Sequence, residues 1–314
     1  VNYAIRNAVI DLTRFPDYQE VAARFLPERL VPMTFDGKVY ALPETQTFNV
    51  LFYRKDVLAD LGLSVPKTWE DIIAAIPVLQ KNNMSFAIPV STTALPQAGV
   101  SSYYTMLYQM GGQLYKDGGK TSDMDSETGL AAFKQWTNLY VNYDLPKEYN
   151  FLDRFRTGEY PLIMADFTNF NSLTVSAPEI RGLWGFTLVP GTLKEDGTVD
   201  RSVPFGGTDC FILKNSSNYE ASWEFLKWWT DTDAQIQYGT EMESVLGASA
   251  RHPTANLNAF EKIPWSNDLY KVLKAQMQWG RGVEQVPGGY FTGRHLDNAF
   301  RKVVISKEDP KETL

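Results

Sequence analysis

The chain has 314 residues, 44% of them hydrophobic, and its net charge at pH 7 is −7. This length can bury a large core and favours two domains over one, whereas the acidic balance and the lack of a basic stripe argue against a nucleic-acid partner. With one cysteine and two histidines, the sequence cannot form an internal disulfide or a cysteine-based metal site, so we expect neither a metal nor a cofactor.

The first predicted elements are two strands joined by a polar link. The β-branched and aromatic runs at 39–42 and 48–53 favour strands. The link between them begins at Pro43 and carries the polar residues Glu44, Thr45, Gln46 and Thr47. A polar connection of this kind is typical of a hinge, although the same residues could simply cap the strand ends.

The next predicted element is a helix over 72–81. Thr68 is placed as its N-cap, and Asp71 follows three residues later at the spacing of a capping box. Elsewhere, helical periodicity alternates with short β-rich runs, and this alternation predicts an α/β fold with layered sheets. The other predicted helices are 58–60, 103–110, 129–143, 217–229, 268–279 and 296–303, and the other predicted strands are 86–90, 162–165, 185–189 and 210–213.

Taken in order, these segments resemble the extracellular solute-binding proteins of ABC importers, in the sugar and oligosaccharide branch that includes maltose-binding protein. The residues that carry the resemblance are 36–43, 51–56, 66–71, Gly111-Gly112, Gly158-Glu159, 162–164, 204–207 and 221–229. The resemblance implies a two-lobed, class II periplasmic-binding-protein-like fold, each lobe a sheet flanked by helices, with the ligand cleft at the hinge. Lobe one is then expected at 1–46 and 209–264, lobe two at 47–208 and 265–314, and the hinge crossings near 44–48, 205–209 and 261–267.

The same resemblance implies a function. It predicts a monomeric receptor without catalytic residues that captures a carbohydrate, expected to be an oligosaccharide, and delivers it to the permease subunits of an ABC-type importer. In such a receptor the ligand stabilises a closed state of the two lobes. The aromatic content of 13% fits a carbohydrate ligand, because the C–H faces of sugars lie against aromatic rings.

The resemblance also implies a location. We expect an extracellular, cell-surface lipoprotein of a Gram-positive bacterium. The sequence itself has no secretory signal, no lipobox cysteine and no apolar run of about 18 residues. Because it begins mid-lobe by comparison with the family, we expect it to be a piece trimmed at both ends.

Four ligand contacts are expected at the first hinge crossing. They are Glu44, Gln46, Thr47 and Phe48, where the resembling family directs polar groups at the ligand. Carboxylate and amide side chains suit a sugar, because each hydroxyl of the sugar both donates and accepts a hydrogen bond.

A second group of expected contacts, Asp166, Thr168, Asn169 and Phe170, follows the predicted strand 162–165. Maltose-binding protein has tryptophan where this chain has Thr168 and Phe170, so maltodextrin is not the expected ligand. The same run could instead be a turn closed by Asx hydrogen bonds.

Gly207, Thr208 and Asp209 form a third group, in which the glycine would let the backbone approach a ligand closely. A hinge turn without ligand contact explains the same residues. Ser101 and Tyr103 open a helix whose free N–H groups and aromatic ring could meet a sugar, but Tyr103 also has the spacing of a buried helix face.

The last expected contacts lie in a glycine-flanked aromatic loop at 288–294, just before the helix predicted at 296–303. Tyr290 and Phe291 are interpreted as a stacking lid, and Arg294 as a fork for hydroxyls or for a uronate carboxylate. Arg294 could equally form an ion pair with Asp297.

Two further patterns are interpreted as structural. The helix carrying Trp223, Trp228 and Trp229 is predicted to pack in the core, with Ser217 as its N-cap and Glu220 completing a capping box. Cys210 lies in an apolar strand and is expected to be a small buried hydrophobe.

Two alternative functions remain open at the level of sequence. A glycan-degrading enzyme would need two carboxylates across a cleft, for which Glu44, Asp166 and Asp209 are the candidates. A surface glycan sensor or adhesin would keep the fold without the importer.

Overall fold

The structure, a computed structural model, describes residues 1–90 and 100–314. Within that part of the chain the helices are α1 (Asn2–Ile5), α2 (Tyr18–Ala22), α3 (Pro27–Leu30), α4 (Lys55–Asp60), α5 (Trp69–Lys81), α6 (Val100–Gln109), α7 (Glu127–Val141), α8 (Phe151–Thr157), α9 (Asn169–Ser176), α10 (Tyr219–Trp229), α11 (Thr232–Leu246), α12 (Leu257–Phe260), α13 (Asn267–Met277), α14 (Gly289–Ser306) and α15 (Pro310–Thr313). The strands are β1 (Thr34–Phe35), β2 (Lys38–Val39), β3 (Leu42–Pro43), β4 (Asn49–Arg54), β5 (Phe86–Ala87), β6 (Tyr115–Lys116), β7 (Thr121–Ser122), β8 (Leu162–Asp166), β9 (Trp184–Thr187), β10 (Thr192–Leu193), β11 (Val199–Asp200), β12 (Val203–Pro204), β13 (Asp209–Cys210) and β14 (Gly280–Arg281).

The chain divides into two compact units. Unit 1 comprises Val1–Thr47, Phe205–Trp265 and Arg281–Gly289, and unit 2 comprises Phe48–Pro204, Ser266–Gly280 and Tyr290–Leu314. The chain therefore passes between the units five times, and neither unit is one continuous segment. The lobes expected from sequence place residues 47, 205–208, 265 and 281–289 in lobe two, whereas all of these belong to unit 1.

Unit 1 has short antiparallel strand pairs and a core that joins the start of the chain to α10. β1 pairs with β2, and β3 pairs with β13. The ring of Phe15 stacks on Trp223 of α10 at 4.7 Å between centroids, and the Trp223 indole N–H donates to Asp17 Oδ1 at 2.7 Å. Other core residues are Ile10, Leu12, Tyr18, Val21, Phe25, Met33, Leu42, Ile212, Leu226 and Ala255.

Unit 2 contains a mixed sheet of four strands in the order β5-β8-β4-β9. β4 lies antiparallel to both β8 and β9, and β5 lies parallel to β8. Five of the six residues of β4 are buried, the pattern of a strand covered on both faces. Away from the sheet, Trp136 of α7 stacks on Phe300 of α14 at 4.2 Å between centroids, so helices from distant parts of the sequence share one aromatic core.

Several predicted elements are confirmed. The helix expected over 72–81 is α5, and its capping box is present: Asp71 N–H donates to Thr68 Oγ1 at 3.2 Å, and Thr68 N–H donates to Asp71 Oδ2 at 3.0 Å. The strands expected at 48–53 and 162–165 are β4 and β8. The α/β class predicted from the alternation of elements is confirmed as well.

Other predicted boundaries are wrong. The strand expected at 39–42 is divided into β2 and β3, and the strand expected at 210–213 ends at Cys210. The N-cap of α10 is not Ser217 but Asn218, whose Oδ1 accepts from Ala221 N–H at 2.9 Å. Both Ser and Asn are good N-caps, so the sequence alone could not choose between adjacent positions.

Candidate functional site

The polar link of unit 1, residues 44–47, is fixed by backbone hydrogen bonds on both of its edges. On one edge, Glu44 N–H donates to the Thr208 carbonyl at 2.9 Å, and Thr47 and Gly206 exchange bonds of 3.0 and 2.8 Å. The backbone of 253–255 bonds to the other edge. The polar link therefore has neighbours on both sides, and the directions of its side chains are set.

Arg29 of α3 is a buried cation beneath the polar link, with its side chain only 2% exposed. Its Nη2 donates to the Thr45 carbonyl at 3.0 Å, to Asp209 Oδ1 at 2.7 Å and to the Thr208 carbonyl at 3.4 Å. Partial burial raises the pKa of Asp209, and the Arg29 guanidinium partly offsets that rise. One guanidinium thus joins the polar link to residues 208–209.

The carboxylate of Glu44 is held by two donors of unit 1. Its Oε2 accepts from Thr208 Oγ1 and its Oε1 accepts from the indole N–H of Trp229, both at 3.0 Å. The hydroxyls of Thr45 and Thr208 are also hydrogen-bonded to each other at 2.8 Å. Because both oxygens of Glu44 already have partners, this carboxylate mainly orients its neighbours.

The rings of Trp229 and His252 are linked by the ring of Tyr238, which contacts both. The Tyr238 ring meets Trp229 and His252 edge to face, each at 5.0 Å between centroids. Burial lowers the pKa of His252, with a smaller opposing effect from Glu44, so this imidazole is neutral at pH 7. A cavity of about 260 Å³ borders His252, and Gln235, Ile236, Glu243, Arg251 and Ile263 are among its lining residues.

The residues predicted at the polar link differ in their access to solvent. Gln46 is fully buried and Thr47 half-buried, whereas Gly207 and Thr208 are exposed. The Asp209 side chain is 32% exposed while Arg29 holds its Oδ1. Asp209 and Thr208 are therefore better placed than Gln46 to meet a ligand.

Two important residues of this cluster were not predicted. Arg29 lies in a four-residue helix far from the polar link in sequence, and no motif marks it. Trp229 was assigned to the core, but only Trp223 is deeply buried, while Trp228 is 58% exposed. The adjacent Trp228 and Trp229 carry no sequence signal that separates them from the core, because neighbouring residues can share the buried face of a helix.

The second predicted group lies in unit 2 at the end of β8. Asp166 Oδ1 accepts from Thr168 N–H at 2.9 Å and from Thr168 Oγ1 at 2.6 Å, and Asn169 Nδ2 donates to the Asp166 carbonyl at 2.9 Å. These bonds close a strand-to-helix turn into α9, so the Asx-turn alternative describes the observed geometry.

Phe48 and Phe170 are packed near this turn. Phe48 is 2% exposed and its ring lies 4.8 Å from that of Phe167, while the Phe170 ring lies 5.6 Å from Trp184. The structure thus brings Phe48 together with Asp166, Thr168 and Asn169, and these residues form a group within unit 2.

The tyrosine predicted at the start of α6 lies in the core. Tyr103 is fully buried, and its hydroxyl donates to the Gly129 carbonyl at 3.3 Å. Burial raises the pKa of Tyr103 well above its usual range. Ser101 is half-buried in the first turn of α6. The buried-face alternative therefore describes Tyr103, which offers no surface to a ligand.

The aromatic loop expected at 288–294 is wrong in its conformation. Tyr290, Phe291 and Arg294 all lie within α14, which begins at Gly289, seven residues before the predicted start. Tyr290 and Phe291 are exposed by 57% and 56%. The alternative ion pair is also wrong, because Asp297 pairs with Arg301 at 2.9 Å. Gly288 and Gly289 suggested a loop, although the second of them is the first residue of the helix.

The described part of the chain bears on two further properties, metal binding and insertion into a membrane. Within 1–90 and 100–314, no three His, Cys, Asp or Glu side chains are grouped so that they could hold a metal ion. In the same residues, no helix combines the length and apolar character needed to cross a membrane. The sulfur of Cys210 is partly buried, and burial raises the pKa of its thiol to about 11.

Comparison with known families decides the identity of the chain. Residues 1–253 match the family model of bacterial extracellular solute-binding proteins. The chain belongs to this family. It is therefore a bacterial extracellular solute-binding protein, and its family is one of binding proteins. A search of curated protein sequences gave no match.

Solved structures with the same fold as this solute-binding protein include three sugar-binding proteins. An ABC-transporter solute-binding protein from Thermotoga lettingae bound with α-D-tagatose is 20% identical, with a TM-score of 0.77, covering 99% of this chain and 79% of that one. The sugar-binding protein MalE of Xanthomonas citri is 17% identical, with a TM-score of 0.79 and coverage of 99% and 78%. The cyclic α-maltosyl-1,6-maltose-binding protein of Arthrobacter globiformis is 16% identical, with a TM-score of 0.79 and the same coverage. At these identities the likeness establishes the fold.

Proposed function

We propose that this solute-binding protein captures a carbohydrate, an oligosaccharide, outside the cell and delivers it to the permease of an ABC importer. Family membership supports the binding role, and the sugar ligands of proteins with the same fold support the ligand class. The observation that carries the proposal is the group of hydroxyl, carboxylate and indole side chains in unit 1, namely Thr45, Thr208, Asp209 and Trp229.

This group has the chemistry that a sugar needs. The Asp209 carboxylate is oriented by Arg29 yet remains 32% exposed, so it can accept from a sugar hydroxyl. Thr208 is exposed beside it, and its hydroxyl oxygen, whose proton goes to Glu44, can accept a hydrogen bond. Trp229, half-buried and fixed by its bond to Glu44, offers an aromatic surface nearby. The contacts expected at Thr168, Arg294 and their neighbours in unit 2 stay predictions.

A thermal-shift screen followed by calorimetric titration tests the ligand class. The screen compares neutral oligosaccharides with uronate-containing ones, because a ligand that binds only the folded protein must raise its apparent stability. We expect a selective rise with one class of oligosaccharide. If folded protein shows no rise with any sugar while an amino acid or a peptide does stabilise it, the carbohydrate assignment is wrong.

The role of Asp209 is tested with Asp209→Asn. Loss of a charge-assisted hydrogen bond should weaken sugar binding by roughly tenfold to a hundredfold. Asp196→Asn is a matched control, because Asp196 is an exposed aspartate of unit 2 whose Oδ1 accepts only from its neighbour Thr198. Equal affinities for wild type and Asp209→Asn would remove Asp209 from the binding site.

The proposal includes no turnover of the ligand. Each carboxylate considered for an enzyme has neighbours that engage it: two donors on Glu44, the Thr168 turn on Asp166 and the Arg29 ion pair on Asp209. Incubation with the bound oligosaccharide should therefore leave it intact by mass spectrometry. Hydrolysis that disappears in Glu44→Gln or Asp166→Asn would establish the glycan-degrading alternative instead.

We also propose that the protein is anchored at the cell surface as a lipoprotein of a Gram-positive bacterium. The family is extracellular, and a lipid anchor on a Gram-positive cell would keep the receptor near its importer. Labelling of the full-length protein in cells with a palmitate analogue should mark it, and a protein recovered unlabelled from the culture medium would contradict the anchor.

A further inference from the structure

Two adjacent residues of the short helix α3, Glu28 and Arg29, contact three different segments of unit 1. Arg29 donates to carbonyls of Thr45 and Thr208 and forms its ion pair with Asp209. Glu28 accepts from Gly282 N–H through Oε2 at 2.7 Å. Segments around residues 45, 208 and 282 are therefore held by one turn of helix.

The hydrogen bond is the important contact of Glu28. Its ion pair with Arg281 is long, at 3.8 Å, and both side chains are more than 40% exposed, so solvent screening leaves that pair little energy. The bond from Gly282 N–H is instead a short, charge-assisted contact to a backbone group. Glu28 thus fixes the position of the backbone at Gly282.

Two glycines allow these segments to approach α3 closely. A Cβ at Gly282 would lie 2.3 Å from the Glu28 carbonyl oxygen and 2.4 Å from Val31 Cβ. A Cβ at Gly207 would lie 2.7 Å from Arg29 Nη2, and the φ of +138° at this residue favours glycine in any case. Gly207 was expected to admit a ligand, but the close neighbours it admits are Arg29 and the Thr45 carbonyl.

In each of the three segments, the chain passes from one unit to the other. The passages are at 47–48, 204–205 and 280–281. Within unit 1 the segments also bond to one another, since Phe205 N–H donates to the Arg281 carbonyl at 2.8 Å and Gly206 N–H donates to the Thr47 carbonyl at 2.8 Å. Helix α3 therefore contacts three connecting segments that are also hydrogen-bonded to one another.

We propose that Glu28 and Arg29 form a common anchor for the three connecting segments and act as positioning residues for Thr45, Thr208 and Asp209. Neither residue needs to touch the ligand for this role. The anchoring itself does not depend on the proposed function, and only its consequence for ligand affinity rests on that function. The bonds from α3 to Thr208, Asp209 and Gly282 span 179 residues or more, so the complete anchor exists only when unit 1 is folded.

Hydrogen exchange of the free protein tests the anchor without any ligand. In Arg29→Lys, the ammonium group can reach Asp209 but lacks the fork that also bonds the Thr45 and Thr208 carbonyls. We expect exchange of the Glu44, Phe205 and Gly206 amides to become about tenfold faster. The amide of Ile72 in α5, which donates to the Thr68 carbonyl, serves as the reference for global stability.

Arg54→Lys is the matched control. Arg54 is also a buried arginine, 8% exposed, with an aspartate partner at 2.6 Å and bonds to the carbonyls of Phe155 and Arg156, but it belongs to unit 2. The Arg54→Lys variant should speed hydrogen exchange around residues 155–156 and leave exchange of the Phe205 and Gly206 amides unchanged. If both variants speed exchange at every site equally, the effect is global and the anchor proposal is wrong.

A glycine pair tests the third segment separately. Gly282→Ala should displace the segment from α3 and speed exchange at Phe205, whose acceptor is the Arg281 carbonyl. Gly239→Ala is the control within unit 1, because its Cβ would meet only His252 Cβ at an ordinary 3.6 Å. Unchanged exchange at Phe205 in Gly282→Ala would exclude Glu28 from the anchor, even if the Arg29 result held.

Discussion

The polar cluster around Arg29 and Glu44 in unit 1 and the polar turn at Asp166 in unit 2 are satisfied over very different distances in sequence. In unit 1, the Arg29–Asp209 and Trp229–Glu44 contacts join residues 180 and 185 positions apart. In unit 2, Thr168 bonds to Asp166 two positions away, and Arg54 bonds to Asp56 at the same separation. The turn at Asp166 therefore forms locally, whereas the polar cluster around Arg29 and Glu44 depends on the completed fold.

The largest expected effect tests the aromatic cores on which both units rely. Trp136→Ala in unit 2 and Trp223→Ala in unit 1 each empty a site that is at most 3% exposed, and each should lower the free energy of unfolding by about 3–5 kcal/mol. Trp228→Ala is the control, because that ring is 58% exposed and should change stability by less than about 0.5 kcal/mol. Urea denaturation measures all three variants.

A pair of double-mutant cycles measures the comparison directly. The coupling energy of Arg29 with Asp209, from Arg29→Met and Asp209→Ala, should be about 2 kcal/mol, because the pair is made only in the folded chain. The coupling of Arg54 with Asp56 should be about half of that, since residues two apart also meet in the unfolded chain. Equal coupling energies would show that sequence separation does not determine the strength of these two ion pairs.

A smaller effect is expected at the capping box of α5. Thr68→Ala removes the acceptor for Asp71 N–H and should lower the free energy of unfolding by about 1 kcal/mol. Thr68→Ser keeps the acceptor and should recover most of the loss. A loss that serine does not restore would point to the Thr68 methyl group instead of the cap.

The smallest effect concerns pH and unit 1. Hydrogen bonds from Lys227 and then from Trp223 hold the pKa of Asp17 below its usual value of 3.8. Because the folded pKa is the lower one, this contribution is present above pH 4 and is lost as pH falls through the folded pKa. Asp17 is partly exposed, so its share is below about 1 kcal/mol. Asp17→Asn should flatten the acid limb of stability slightly, and an unchanged limb would contradict the assignment.

Features that depend on neighbouring residues could be predicted from the sequence. The α5 capping box, β4 and β8 follow from residues within a few positions of one another, and the family resemblance identified the family. The Asx turn at Asp166 was foreseen as an alternative for the same reason. The cap and the turn depend on contacts within a short window, and the two strands are marked by their local β-branched and aromatic residues although they pair with each other across more than 100 positions.

The polar cluster of unit 1 could be foreseen only in part. Thr208 and Asp209 were singled out from neighbouring glycines, but nothing near Arg29 in sequence indicates a partner 180 positions away. The start of α14 was missed because Gly288 and Gly289 indicate a break, although a glycine can also begin a helix. Long-range packing determined both outcomes.

The separation of Arg29 from Asp209 also bears on the order of synthesis. All four strands of the unit 2 sheet lie between residues 49 and 187, so that sheet can form while the rest of the chain is still being translated. Arg29 leaves the ribosome earlier yet must wait for 180 further residues, on the order of ten seconds or more at common elongation rates. During that interval a chaperone would find residues 1–47 as nascent chain without their core partners, although they are synthesised before the unit 2 sheet.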